Sequence, residues 1–138
     1  MPNPGRKLPQ GPADPDPAGD PPVEPTSKEV ADEICRDILA IHLESYGRGA
    51  ERAHAHILDD TVIVILDGLQ LMPNEEFLID NGRKDAVVSV REQFQNAIGS
   101  TFTAAVERST GRRVIAFTSH IQLEEPRFSI EIFRLQPD

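Results

Sequence analysis

The chain has 138 residues, 38% of them hydrophobic, and 14 basic against 23 acidic side chains give a formal net charge of −9. That length supports one core with no room for a second domain. Scattered basic groups within an acidic excess are repelled by a polyphosphate backbone, so nucleic acid is not an expected partner and an anionic membrane surface is a poor one. Cys35 is the only cysteine, which excludes an internal disulfide and a two-cysteine zinc site and fits a reducing cytoplasm.

From Met1 to about Pro25 the residues are mainly proline, glycine and acidic, and ordering them would cost entropy with no burial to offset it. We expect a disordered tail over 1–25 and one α+β domain over 26–138. Arg6 and Lys7 precede LPQGPADPDPAGDPP, which has no apolar run of signal-peptide length. No stretch approaches the roughly 20 apolar residues that span a bilayer, since TVIVIL is cut short by Asp67 and Gly68. The expectation is a cytoplasmic protein with no direct membrane insertion.

Thr26 and Glu29 form a capping-box pattern that opens a helix. Val30, Ile34, Ile38 and Ile41 give it an apolar stripe, with Ala31, Cys35 and Leu39 alongside, and Gly47 suits its left-handed cap. Two apolar runs follow, about Ala53 to Leu58 and Thr61 to Leu66, joined by Asp59 and Asp60 as a β-hairpin. The unbroken run Val62 to Ile65 suggests a central strand or one covered on both faces. A connector helix is expected after Pro73, with Glu75 and Glu76 in its first turn and Asn81-Gly82 closing it. Next comes a long helix from about Lys84 to Thr110, with Val87, Val90, Phe94, Ala97, Ile98, Phe102 and Val106 as its apolar stripe, Arg91 off that stripe and Gly111 as its cap. Two last strands, about Arg113 to Gln122 and Arg127 to Leu135, make a second hairpin in which Phe128, Ile130 and Ile132 alternate with Ser129 and Glu131.

The halves share an order: helix, Gly-Arg pair (Gly47-Arg48 and Gly111-Arg112), strand, acidic pair (Asp59-Asp60 and Glu124-Glu125), strand. Two αββ units can merge their hairpins into a four-stranded antiparallel sheet with both long helices on one face. The strand after Gly111 then carries Val114, Ala116 and Thr118 on one side and Ile115, Phe117 and Ile121 on the other. An apolar second face calls for a cover, either the connector helix or another subunit, and we expect a homodimer.

Tyr46-Gly47-Arg48-Gly49, Asp59-Asp60 before an apolar strand, Gly82-Arg83, Arg91 with Phe94-Gln95, and Val106-Glu107 with Thr110-Gly111-Arg112 together resemble the MpsC-like family, a bacterial domain associated with a sodium-translocating, membrane-potential-generating system. The resemblance covers essentially everything after the tail. It implies a small accessory protein linked to ion or bicarbonate transport machinery, with no known catalytic residues. Ala50 stands where the family often has proline, and the His-Ala-His run is outside the family pattern.

Other constellations have plain structural readings. His54 and His56 share one strand face and, with His120 or a carboxylate, could ligate a metal and serve a metal-dependent enzyme; solvent-facing polar residues of an edge strand are the commoner outcome. Cys35 and His42 lie seven positions apart on one helix, about 10.5 Å along the axis, too far for direct thiolate activation. Arg48 and Arg112 recur at equivalent places, and with Arg91 they could form a site for an anion or a partner's carboxylate, although a cation at a helix C-terminus is favoured without any ligand. The leading expectation is a non-catalytic accessory or regulatory module acting through protein contacts, needing no cofactor. A small-anion sensor built on Arg48, Arg91 and Arg112 is second, and a metal-dependent enzyme third.

Overall fold

A computed structural model describes residues 25–138, so the expected tail lies outside the described residues except for Pro25. The elements are α1 (Ser27–Tyr46), β1 (Ala50–Leu58), β2 (Thr61–Leu69), α2 (Pro73–Asp80), α3 (Lys84–Thr110), β3 (Val114–Gln122) and β4 (Phe128–Leu135). Local chemistry sets most boundaries. The Thr26 side chain accepts from the Glu29 amide at 3.1 Å while the Glu29 carboxylate accepts from the Thr26 amide at 2.8 Å. Gly47 and Gly111 close α1 and α3 with φ of 79° and 69°, a conformation in which a Cβ is penalised.

The four strands form one antiparallel sheet in the order β1-β2-β4-β3, with the two hairpins meeting along β2 and β4. Helix α1 lies on β1, α3 lies on β3, and the two helices pack on each other over the same face. The two-layer α+β architecture expected from the αββ repeat is therefore present. Ile34 and Ile38 of α1, Val62, Val64 and Leu66 of β2, Phe102, Ala105 and Val106 of α3, and Phe133 and Leu135 of β4 fill the space between the layers and are essentially inaccessible. Burial of such side chains contributes roughly 1.5–3 kcal/mol each.

Three details depart from the sequence reading. A register shift between Val114 and Ala116 inserts a bulge, so Val114 turns inward with Phe117 and Ile121 while Ala116 and Thr118 stay outside. The inward stripe of α3 begins Val87, Arg91, Gln95, Gly99, leaving Val90 58% and Phe94 40% exposed. Arg91, expected off the buried stripe, lies on it because another helix supplies its counter-charge. Finally, α2 packs against α3, so it does not cover the second face of the sheet.

Candidate functional site: a polar seam under the helices and an apolar face outside

The inward stripes of α1 and α3 turn polar over the same stretch of sheet. On α1 the spacing of four that buries Ile34 and Ile38 next buries His42, and on α3 it buries Arg91 and Gln95. Beneath them β4 presents Ser129 and Glu131, both fully buried, and Ser119 of β3 stands directly opposite Glu131 in the ladder. Glu75 of α2 completes the seam from the side. Its carboxylate takes both Nε and Nη2 of Arg91, at 2.7 and 2.9 Å, and also accepts from the Met72 amide at 2.8 Å, closing the first turn of α2. Arg91 is thus a bidentate, charge-assisted anchor between α2 and α3. Its guanidinium also lies 4.4 Å from the centroid of the Tyr46 ring, and the Tyr46 hydroxyl donates to the Arg91 carbonyl at 3.3 Å.

Burial dominates the protonation of this region. It works against the Glu75 carboxylate, but the hydrogen bonds from Arg91 and Met72 outweigh it and hold that carboxyl below its ordinary value. Desolvation, reinforced by the Arg91 charge, lowers His42 to about 4, so the imidazole is neutral at pH 7. Desolvation also pushes Tyr46 up to about 12. The Glu131 carboxyl is raised by desolvation against the opposing pull of the neighbouring Ser119 and Ser129 hydroxyls. Both ring nitrogens of His42, the Gln95 Oε1, the Ser129 Oγ and one Glu131 oxygen nevertheless lack a hydrogen-bond partner of good geometry. Such groups are uncommon in native interiors because each forfeits a hydrogen bond to water on burial.

The opposite face of the sheet shows the reverse polarity. Ile63 and Ile65 of β2 stand beside Ile132 and Ile130 of β4, and all four are half-buried with no helix over them. Across the sheet run the rows His54, Ile65, Ile130, His120 and His56, Ile63, Ile132, Thr118. The row at one end carries Arg52, Asp67, Phe128 and Gln122, and that at the other carries Leu58, Thr61, Arg134 and Ala116. An apolar centre is therefore framed by a mixed rim, in which polar and charged side chains stand with Phe128, Leu58 and Ala116.

The residues nominated from sequence fall in separate places. Arg112 reaches from the end of α3 to the first hairpin, donating to the Asp59 carbonyl at 3.0 Å, the Asp60 carboxylate at 2.6 Å and the Gln136 carbonyl at 2.9 Å. It staples the two αββ units together. Arg48, its counterpart in the repeat, is exposed and has no ion-pair partner among the described residues; the length of β1, roughly 26 Å at about 3.3 Å per residue, separates it from the Asp59–Asp60 turn that Arg112 holds. Arg112 thus stands apart from Arg48, whereas Arg91 packs on Tyr46, two positions before Arg48. His54 sits 3.2 Å from Asp67, whereas His120 is on the far edge strand, roughly 14 Å away at about 4.8 Å per strand spacing. No cluster of three or more His, Cys, Asp or Glu suited to a metal occurs among the described residues. Cys35 is half-buried and its thiol is raised by burial, in keeping with a small packing residue.

Of the seam, sequence reasoning nominates only Arg91. Residues 26–136 match the family model described as "Na+-translocating membrane potential-generating system (MpsC)". The chain belongs to the MpsC family. No curated protein and no solved structure matches it. The MpsC match spans α1 through β4, so the seam and the open face both lie within the family domain. No helix among the described residues is long and apolar enough to cross a membrane.

Proposed function

We propose that this MpsC domain is a non-catalytic accessory module of an ion-translocating system, acting through protein contacts, and that its open sheet face pairs with the same face of a second copy. One observation carries the reading: Ile63, Ile65, Ile130 and Ile132 form an apolar centre within a mixed rim on a face that no helix covers. An apolar, charge-poor centre with a polar rim is the anatomy of a protein interface. Four strands at about 4.8 Å spacing and about 3.3 Å per residue over eight-residue strands present roughly 500 Å² per copy. Two copies would remove roughly 1,000 Å² from water, the lower limit for a specific contact. The bidentate pairing of Arg91 with Glu75 favours a structural over a chemical role for those two groups.

Light scattering on the full chain tests this reading. The wild type is expected at twice the monomer mass, while Ile65→Lys and Ile130→Lys are expected at monomer mass with unchanged circular dichroism. A wild type that is monomeric at all accessible concentrations would overturn the pairing.

A further inference from the structure

The charge count of the seam leaves one position unfilled. Arg91 is neutralised by Glu75 in a bidentate pair, His42 is held neutral, and the Tyr46 phenol keeps its proton. Glu131 remains: it is fully buried on β4 and makes no ion pair with any described residue. A carboxylate in such a setting needs a single positive charge, whether a proton or a metal ion. The atoms around it are hard oxygen donors, with the Ser119 and Ser129 hydroxyls near enough to act on the carboxyl. Ser129 Oγ and Glu131 Oε1 lack a hydrogen-bond partner of good geometry, and Ser119 stands opposite Glu131 on β3. The Gln95 Oε1 is likewise unpartnered, while its Nε2 makes only a long 3.5 Å contact with the second Glu131 oxygen. An amide turned about its last bond offers that oxygen instead of the nitrogen at almost no steric cost.

A cleft adjoins these groups. A cleft of about 200 Å³ between α3 and β3 is lined by Glu92, Gln95, Asn96, Ser119 and Ile121, so two of its walls, Gln95 and Ser119, are also walls of the seam. Glu92 contributes negative charge to that cleft. We propose that Glu131, Ser129, Ser119 and Gln95 form a buried site for one small monovalent cation of the sodium class, reached through the cleft between α3 and β3. One carboxylate with neutral hydroxyl and amide oxygens matches a single charge; a divalent ion would leave a net positive charge buried, and calcium requires six to eight oxygen ligands. The site is independent of how the open sheet face is used, since it lies on the opposite side of β4.

The test is a comparison of thermal unfolding of the full chain in sodium, lithium, potassium and choline chlorides at one ionic strength. A saturable rise in Tm with sodium or lithium over choline is expected in the wild type and expected to vanish in Glu131→Gln and Ser129→Ala. Equal Tm values in all four salts would overturn the site, as would a rise that survives both substitutions. Should neither variant fold, titration of the Glu131 side-chain carboxyl by carbon NMR in the wild type decides: a bound cation competes with the proton and lowers the midpoint in sodium relative to choline, and identical midpoints refute the proposal.

Discussion

Along β4, alternate residues face two environments whose polarities are exchanged relative to an ordinary half-exposed strand. Under the helices lie Ser129 and Glu131 before Phe133 and Leu135, whereas Phe128, Ile130 and Ile132 point away from them. A lone two-layer domain gains most by the reverse arrangement, with isoleucine inside and glutamate in water. The covered face forgoes stability to keep a polar seam, and the open face keeps apolar area in contact with solvent. Both features are accounted for if the seam holds a ligand and the open face holds a partner.

Substitutions on the two faces should therefore behave differently, beginning with the largest effects. Phe133→Ala removes a fully buried ring from the covered face and is expected to cost about 3–5 kcal/mol in denaturant unfolding. By contrast, Ile130→Thr on the open face is expected to change the unfolding of a monomer by less than about 1 kcal/mol while weakening association. A comparable loss from both would erase the distinction.

Within the seam, Arg91→Ala leaves Glu75 without its partner and strips the cation from Tyr46, so a loss of about 3 kcal/mol is expected by the same measurement. His42 gives a similar magnitude through pH. Its folded value of about 4 lies below the ordinary 6.5, so the unfolded state binds the extra proton between those values. Stability from this group is complete above pH 6.5 and is lost as pH falls toward 4, by about 3 kcal/mol in total. His42→Leu should flatten that part of the acid limb in a series of urea midpoints, and an unchanged slope would refute the neutral, buried assignment.

The smallest expected effect has the opposite sign. Glu131→Leu replaces an unpaired buried carboxyl with an apolar side chain and is expected to stabilise the domain by about 1–2 kcal/mol when no cation is present. A raised carboxyl value also means that wild-type stability declines as pH rises above the ordinary carboxylate range, and this variant should lose that decline. A destabilised Glu131→Leu would show that the carboxyl is satisfied after all.

Features governed by neighbouring residues were legible in the sequence. The Thr26–Glu29 box, the Gly47 and Gly111 caps, Pro73 at the start of α2 and the Asp59-Asp60 turn depend on contacts a few positions apart, and each stands where the pattern put it. The αββ repeat gave the four-stranded sheet and the placement of both long helices on one face of it. The seam depends on distant partners. Arg91 can be buried only because Glu75, 16 positions earlier, meets it, and apolar counting along α3 favours Val90 and Phe94 instead. Continuation of the buried spacing into His42 on α1, and into Arg91 and Gln95 on α3, was the signal available. The orientation of β4 was equally hidden, because alternation separates Ile130 from Glu131 without saying which of them faces the helices. The bulge at Val114–Ala116, which reverses the start of β3, leaves no mark in the hydrophobic pattern.

The open face is the centre of the account, and its isoleucine methyl groups report on it directly. In the full chain at concentrations where light scattering gives the dimer mass, a soluble paramagnetic agent should broaden the methyl signals of Ile63, Ile65, Ile130 and Ile132 far less than those of Val90 and Leu43, which are exposed on the helices. If the four isoleucines relax as strongly as Val90 and Leu43, the face is open to water and does not pair.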